Sequence, residues 1–266
     1  MGELLLEDRV AVISGAGQGI GLGIARAFGR EGARVIIGEL VADRGEAAAS
    51  ALASEGHRVQ AIPLDVTAPD SCTSLVESVL AEHGRIDILV NCAGLFILHK
   101  SEEMPESAWR HQVDVMLNGV FFLTQAVARL AMIPQQAGNV VTIASIGGMG
   151  GWPMRAAYNA SKAGVIMLNE VLATEWAQYN IRLNCISPGV TRTELVEKAV
   201  ADGAAKLEQY SNRTPLGRIA EVEEIASAAL FLASDRASYM TGENLRVDGG
   251  WIAGGKLEAV GFPEED

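Results

Sequence analysis

The sequence predicts a single α/β domain, a doubly wound parallel sheet of seven strands with helices on both faces. Two observations carry that prediction. Seven short β-branched runs are apolar almost throughout, as parallel strands covered on both faces are. Longer amphipathic stretches separate them, and such a βα alternation builds a parallel sheet. The 266 residues are 49% apolar and 20% charged, enough for one large core. No repeat, low-complexity tract or linker interrupts the chain, so one domain is expected over 1–266, with only the acidic, irregular tail at 251–266 detachable.

In order, strands are expected at 9–14 (RVAVIS), 33–38 (ARVIIG), 58–64 (RVQAIPL), 86–91 (IDILVN), 139–145 (NVVTIAS), 181–187 (IRLNCIS) and 244–249 (NLRVDG). Helices are expected near 19–30, 41–54, 69–83, 105–133, 156–178 and 221–233. The crossovers between parallel strands should be right-handed.

Bulk properties exclude several function classes. The net charge of −12, from 33 acidic and 21 basic residues, argues against nucleic acid or an anionic membrane as partner. Cys72, Cys92 and Cys185 are widely spaced, with no CxxC or Cys/His metal pattern. Free thiols in a reducing cytoplasm are expected, and no metal site. The opening MGELLLEDRV lacks the basic n-region of a signal peptide. Leu6 stands where myristoylation needs Ser or Thr. No run of about 18 uninterrupted apolar residues suggests a membrane span.

The first strand leads into SGAGQGIG (14–21). A GxxxGxG pattern runs through Gly15, Gly19 and Gly21, with Gln18 and Ile20 between them. Gly15 permits a tight turn, Gly19 lets the backbone approach a pyrophosphate, and Gly21 lets the following helix pack close to the strand. The helix N-terminus adds unpaired N–H groups and positive potential. The second strand ends at Glu39, about 20 residues beyond the turn, where an acid suits the ribose 2′-hydroxyl of NAD and repels the 2′-phosphate of NADP. No base stands at Leu40, and Gln18 is neutral. Asp65, with Val66 beside it, follows the third strand as an acceptor for the adenine amino group.

Tyr158 and Lys162 lie four residues apart in AAYNASKAGV, and Ser145 lies thirteen before the tyrosine. Helix positions i and i+4 share a face, roughly 5–6 Å apart at Cβ. An ammonium beside a phenol favours the phenolate, and such a tyrosine can exchange a proton with an alcohol or ketone. A serine hydroxyl alongside would hold the substrate oxygen.

Together these residues resemble the short-chain dehydrogenase/reductase family, over residues 9–250. SGAGQGIG resembles its cofactor turn, and NCAG (91–94) its NNAG motif, which brings Asn91, Ala93 and Gly94 toward the cofactor. SPGVTRT (187–193) resembles its loop beside the nicotinamide, with Pro188, Gly189, Thr191 and Thr193. LRVDGG resembles its last strand and exit turn, and Ser145, Tyr158 and Lys162 match its catalytic triplet.

The resemblance implies a Rossmann-like fold and hydride transfer between NAD(H) and a secondary alcohol or ketone. It also implies a homotetramer and a Lys162 that holds the nicotinamide ribose. A small cyclic or aliphatic alcohol, a polyol or a sugar suits the mixed loops LFILH (95–99) and IGGMGGWPMR (146–155). A 3-oxoacyl-thioester reductase and a non-catalytic NAD-binding regulator are the alternatives. One position departs from the family pattern: Met116, in DVMLNGVFF, stands where many members have a catalytic asparagine. Asn118 lies about 200° further round a regular helix and stands in for it only if the helix is distorted.

Overall fold

The computed structural model describes residues 4–201 and 206–254. Its strands are β1 (Val10–Ser14), β2 (Arg34–Glu39), β3 (Arg58–Pro63), β4 (Ile88–Asn91), β5 (Gly138–Ile143), β6 (Ile181–Pro188) and β7 (Asn244–Val247). They form one parallel sheet in the order β3-β2-β1-β4-β5-β6-β7. The helices are α1 (Gly19–Arg30), α2 (Ala42–Ser54), α3 (Pro69–His83), α4 (Glu106–Gln135), α5 (Ala156–Trp176), α6 (Glu194–Ala201), α7 (Leu207–Arg213) and α8 (Val222–Ala233).

Strand alternation sorts the core into two layers. From β1, Ala11 and Ile13 face a cluster with Ile24 and Phe28 of α1, Leu52 of α2 and Ile225 and Leu232 of α8. Val10 and Val12 face the other way, against Leu75 and Val79 of α3, Leu123 and Val127 of α4 and Leu172 of α5. Each fully buried Val, Leu, Ile or Phe stabilises the fold by about 1.5–3 kcal/mol, so the strands are committed to burial on both faces. Helix α4 is long and apolar enough by length and composition to cross a membrane, yet Leu123, Val127, Ala131 and Met132 are packed against the sheet.

Several boundaries differ from the sequence expectation. β4 starts at Ile88, although the Asp87 backbone still bonds to Val10 and Asn139 on either side; its carboxylate accepts the Val10 N–H at 2.8 Å and pairs with Arg85. β7 ends at Val247 because the Asp248 carboxylate accepts the N–H groups of Gly250 and Ile252, each at 2.9 Å, closing a turn. The 251–266 tail is partly integral: Trp251 is buried and stacks edge-on with Trp152, whereas 255–266 lie outside the described residues. Helices α6 and α7 fill a segment in which no element was expected.

The chain order reverses between β1 and β4. β1, β2 and β3 step one way from the centre, and β4 returns to the other side of β1, with Ser14 opposite Asn91. A crevice at the carboxyl ends of the strands opens at such a switch point, and ligands bind there in open α/β sheets.

Candidate active site

At the switch point the Ser14 hydroxyl accepts the N–H groups of Cys92 and Ala93, at 3.1 and 3.2 Å. This stitches the glycine turn to the NCAG segment. Gly15 has φ +67°, and a Cβ there would lie 2.7 Å from the Ala93 Cα. Only glycine satisfies both the left-handed backbone and the contact. Gly15→Val should therefore cost roughly 1–3 kcal/mol of stability and weaken NADH binding at least tenfold, measured by thermal melting and fluorescence titration.

The turn is built to take an anion. Helix α1 opens at Gly19, its Gln18 N-cap supplies no side-chain acceptor, and its first turn carries no acid. The first intrahelical bond is donated by Leu22 to the Gln18 carbonyl, so the N–H groups of Gly19, Ile20 and Gly21 have no intrahelical partner. Gln18 is exposed and Ile20 half-buried. A Cβ on Gly19 would touch the Thr193 Cγ2 at 3.6 Å and the Glu194 carboxylate at 3.7 Å, so the segment after β6 lies directly against the turn. Gly189 donates to the Val247 carbonyl at 2.9 Å and packs on Asp248, while the Thr191 hydroxyl bonds back to the Gly189 carbonyl at 3.1 Å. With Pro188 ending β6, this loop forms the far wall. The unpaired donors of the turn fit a dinucleotide pyrophosphate.

Glu39 lies beside the turn, 4% exposed. Its carboxylate accepts the N–H groups of Gly17 and Val41, at 3.1 and 3.3 Å, and pairs with Arg44 at 2.5 Å. Leu40 carries no base, but α2 carries Arg44 back onto the acid. A basic group therefore stands at the ribose end of the site, which reading outward from Leu40 did not reveal. The Asp65 Oδ1 is occupied by the Thr67 N–H and hydroxyl, at 2.9 and 2.7 Å. Val66 packs where a Cβ on Gly119 would lie, 2.7 Å from its Cγ2. The Asn91 amide donates to Thr124 at 2.8 Å and Thr142 at 3.3 Å, which makes it a buttress of the central strands. Gly94 faces Met116, whose Cε lies 3.8 Å from where a Cβ on Gly94 would be.

The triplet assembles where β5 ends. Ser145 lies just beyond Ile143 and caps the short turn Ile146–Gly148, accepting the Gly147 N–H at 2.9 Å. A Cβ on Gly147 would stand 3.0 Å from Tyr158 Cε1 and 3.2 Å from Ser145 Oγ. A larger residue would push the serine and tyrosine apart. The Ser145 hydroxyl and the edge of the Tyr158 ring thus lie side by side over Gly147. Lys162 is buried and its Nζ donates to the Ile143 carbonyl at 2.6 Å, 6.0 Å from the centre of the tyrosine ring.

The electrostatics differ from the expectation of a phenol made acidic by its lysine. Burial pushes the Tyr158 pKa above its ordinary 10; the neighbouring Ser145 hydroxyl and the Arg155 guanidinium pull it back down. Burial also lowers the Lys162 pKa to about 8. A buried ammonium held by a backbone carbonyl spends its field there and is itself disfavoured. Burial raises the thiols as well, Cys72 and Cys92 to about 11 and Cys185 to about 12, so these free cysteines are poor nucleophiles.

Helix α4 is distorted at the departure noted above. Asp114–Asn118 form a turn of π-helix, closed by the Gly119 N–H on the Asp114 carbonyl, and Met116 is buried within it. The Asn118 amide is spent on the Asp114 carboxylate at 2.8 Å, so it does not stand in for the missing asparagine. The kink forms without one.

The chain is similar to known proteins over most of its length. The protein-family profile described as enoyl-(acyl carrier protein) reductase matches residues 15–252. The NAD-dependent glycerol dehydrogenase of Listeria innocua is 39% identical over 92% of this chain and 94% of its own. The 3-oxoacyl-[acyl-carrier-protein] reductase of Chlamydia muridarum is also 39% identical, over 92% of this chain and 98% of its own. Among solved structures, a gluconate 5-dehydrogenase from Burkholderia cenocepacia in complex with NADP and tartrate superposes with a TM-score of 0.89. It is 34% identical, over 94% of this chain and 98% of that one.

Proposed function

Because the chain belongs to the short-chain dehydrogenase/reductase family, a family of oxidoreductases, we propose that it is an NAD-dependent dehydrogenase. Its substrate is a small secondary alcohol, polyol or sugar, or the matching ketone. The observation that carries this reading is the convergence of the Ser145 hydroxyl and the Tyr158 ring over Gly147, with Lys162 one turn along the tyrosine's helix. Bound in the cleft, the nicotinamide supplies the hydride acceptor or donor. In the oxidation direction the Tyr158 phenolate takes the hydroxyl proton as the carbinol C–H bond breaks. In reduction the phenol gives that proton to the oxygen. Ser145 donates to the same oxygen and stabilises the charge that grows on it. Lys162 would hold the ribose hydroxyls. The experiment is turnover of NAD or NADP with a panel of secondary alcohols; a protein that binds NADH but oxidises none would be the regulator instead.

Glu39 supports a preference for NAD. Apposing it to a 2′-phosphate sets like charges together, at a cost of several kcal/mol. Arg44 complicates this, because it is already seated at the same point. We expect wild-type kcat/KM to favour NAD over NADP by at least about tenfold. In Glu39→Ala the released Arg44 should narrow or reverse the ratio. Equal use of both cofactors by the wild type would sink the preference.

A carrier-protein substrate fits less well, since an acidic carrier would meet a chain of net charge −12. Exposed Trp109 on α4 and Met167 and Val171 on α5 support a homotetramer packed through these helices, and three free cysteines suit a reducing cytoplasm.

A further inference from the structure

The wall above the catalytic tyrosine alternates aromatic rings and guanidinium groups. Phe96 stands edge-on to Tyr158, with ring centres 5.0 Å apart. The Arg155 Cζ lies 5.1 Å from the centre of Phe96 and 5.9 Å from that of Trp152. Trp152 contacts Trp251, and Arg213 of α7 lies over that ring at 4.5 Å.

Arginines elsewhere around the cleft are paired. Arg44 meets Glu39, Arg192 meets Glu221 and Arg218 meets Glu224. Neither Arg155 nor Arg213 has a carboxylate partner or a side-chain hydrogen bond among the described residues. A guanidinium that stacks its face on aromatics keeps its N–H edge free, and that edge matches a carboxylate bidentately. Arg155 is half-buried, where such a pairing is worth more than in open water.

We propose that the substrate is a hydroxy acid or its keto acid, its carboxylate held by the edge of Arg155 while its carbinol sits at Tyr158. Arg213 adds positive potential further out. This rests on Tyr158 being the proton-exchanging group, and it narrows the substrate class. Phe96 and Trp152 fix the guanidinium and cover the carbon skeleton between the two ends. Arg155 is thus a specificity-determining residue, and its charge also bears on the phenol.

The test compares hydroxy acids of about four to eight carbons with their methyl esters, using wild type, Arg155→Gln and Arg155→Lys. Thermal melting and NADH titration check that each variant folds and binds cofactor. The wild type should favour the acids over the esters by about tenfold to a hundredfold in kcat/KM. Arg155→Gln should bring that ratio near one, mainly through KM, and move the alkaline limb of the pH profile to higher pH, because a cation that lowers the phenol pKa is gone. Arg155→Lys should restore the limb and part of the preference. Esters or neutral alcohols turned over as well as acids by the wild type, or a preference that survives in Arg155→Gln, would overturn the proposal while hydride transfer stands. Failure of acids, esters and neutral alcohols alike would overturn hydride transfer as well.

Discussion

Tyr158→Phe is expected to lower kcat by about 10²–10⁴-fold, the contribution of one positioned general acid–base group, while NADH binding stays near wild type. The phenylalanine keeps the ring that packs against Phe96 and Gly147 and removes only the proton site. The pH profile supplies a second check. Because burial holds the phenol above its usual pKa in the cofactor-free protein, alcohol oxidation needs a phenolate that forms only at high pH. The kcat/KM for oxidation should climb through the alkaline range, and ketone reduction should fall over the same range. Both limbs should vanish in Tyr158→Phe. Steady-state kinetics with fluorescence-monitored binding decide the matter; a variant with substantial turnover would remove Tyr158 from the chemistry.

Lys162→Met should abolish turnover and yet stabilise the cofactor-free protein. The lysine pKa falls from 10.5 to about 8 on folding, so the folded state binds fewer protons than the unfolded state between those values. Stability then rises with pH across that window, and the full penalty is present below it. At 1.36 kcal/mol per unit the penalty at neutral pH is on the order of 3 kcal/mol. Methionine removes it but leaves the Ile143 carbonyl without its donor, which returns about 1–2 kcal/mol. A net gain of about 1–2 kcal/mol is expected in urea unfolding at neutral pH, and the gain should shrink above pH 8. An unstabilised variant would mean that the buried ammonium is better solvated than its surroundings suggest. The catalytic group is thus held at a cost to stability until a cofactor occupies the cleft.

Much of this site was legible in the sequence because its signals are local. The glycine turn is a contiguous pattern between a strand and a helix, and Tyr158 and Lys162 are one helical turn apart. What escaped depends on contacts made after folding. Arg44 lies five residues beyond Glu39 and reaches it only because α2 folds back on the end of β2. The π-turn at Asp114–Asn118 is a single turn of altered backbone hydrogen bonding, too short for side-chain periodicity to reveal. Helices α6 and α7 have eight and seven residues, shorter than the window in which a helical period can be counted. The lysine acts on the phenol less than its spacing implies, because spacing fixes proximity and says nothing of the carbonyl that claims the ammonium.

The most direct test of the central claim follows a labelled hydrogen. Purified protein is mixed with NAD and a secondary hydroxy acid deuterated at the carbinol carbon, and the products are analysed by mass spectrometry and NMR. Hydride transfer at Tyr158 predicts deuterium on the nicotinamide ring of NADH, one equivalent of ketone, and no label in either product for Tyr158→Phe beyond its residual rate. Oxidised product without label on the nicotinamide, or label transfer undiminished in the variant, would contradict it.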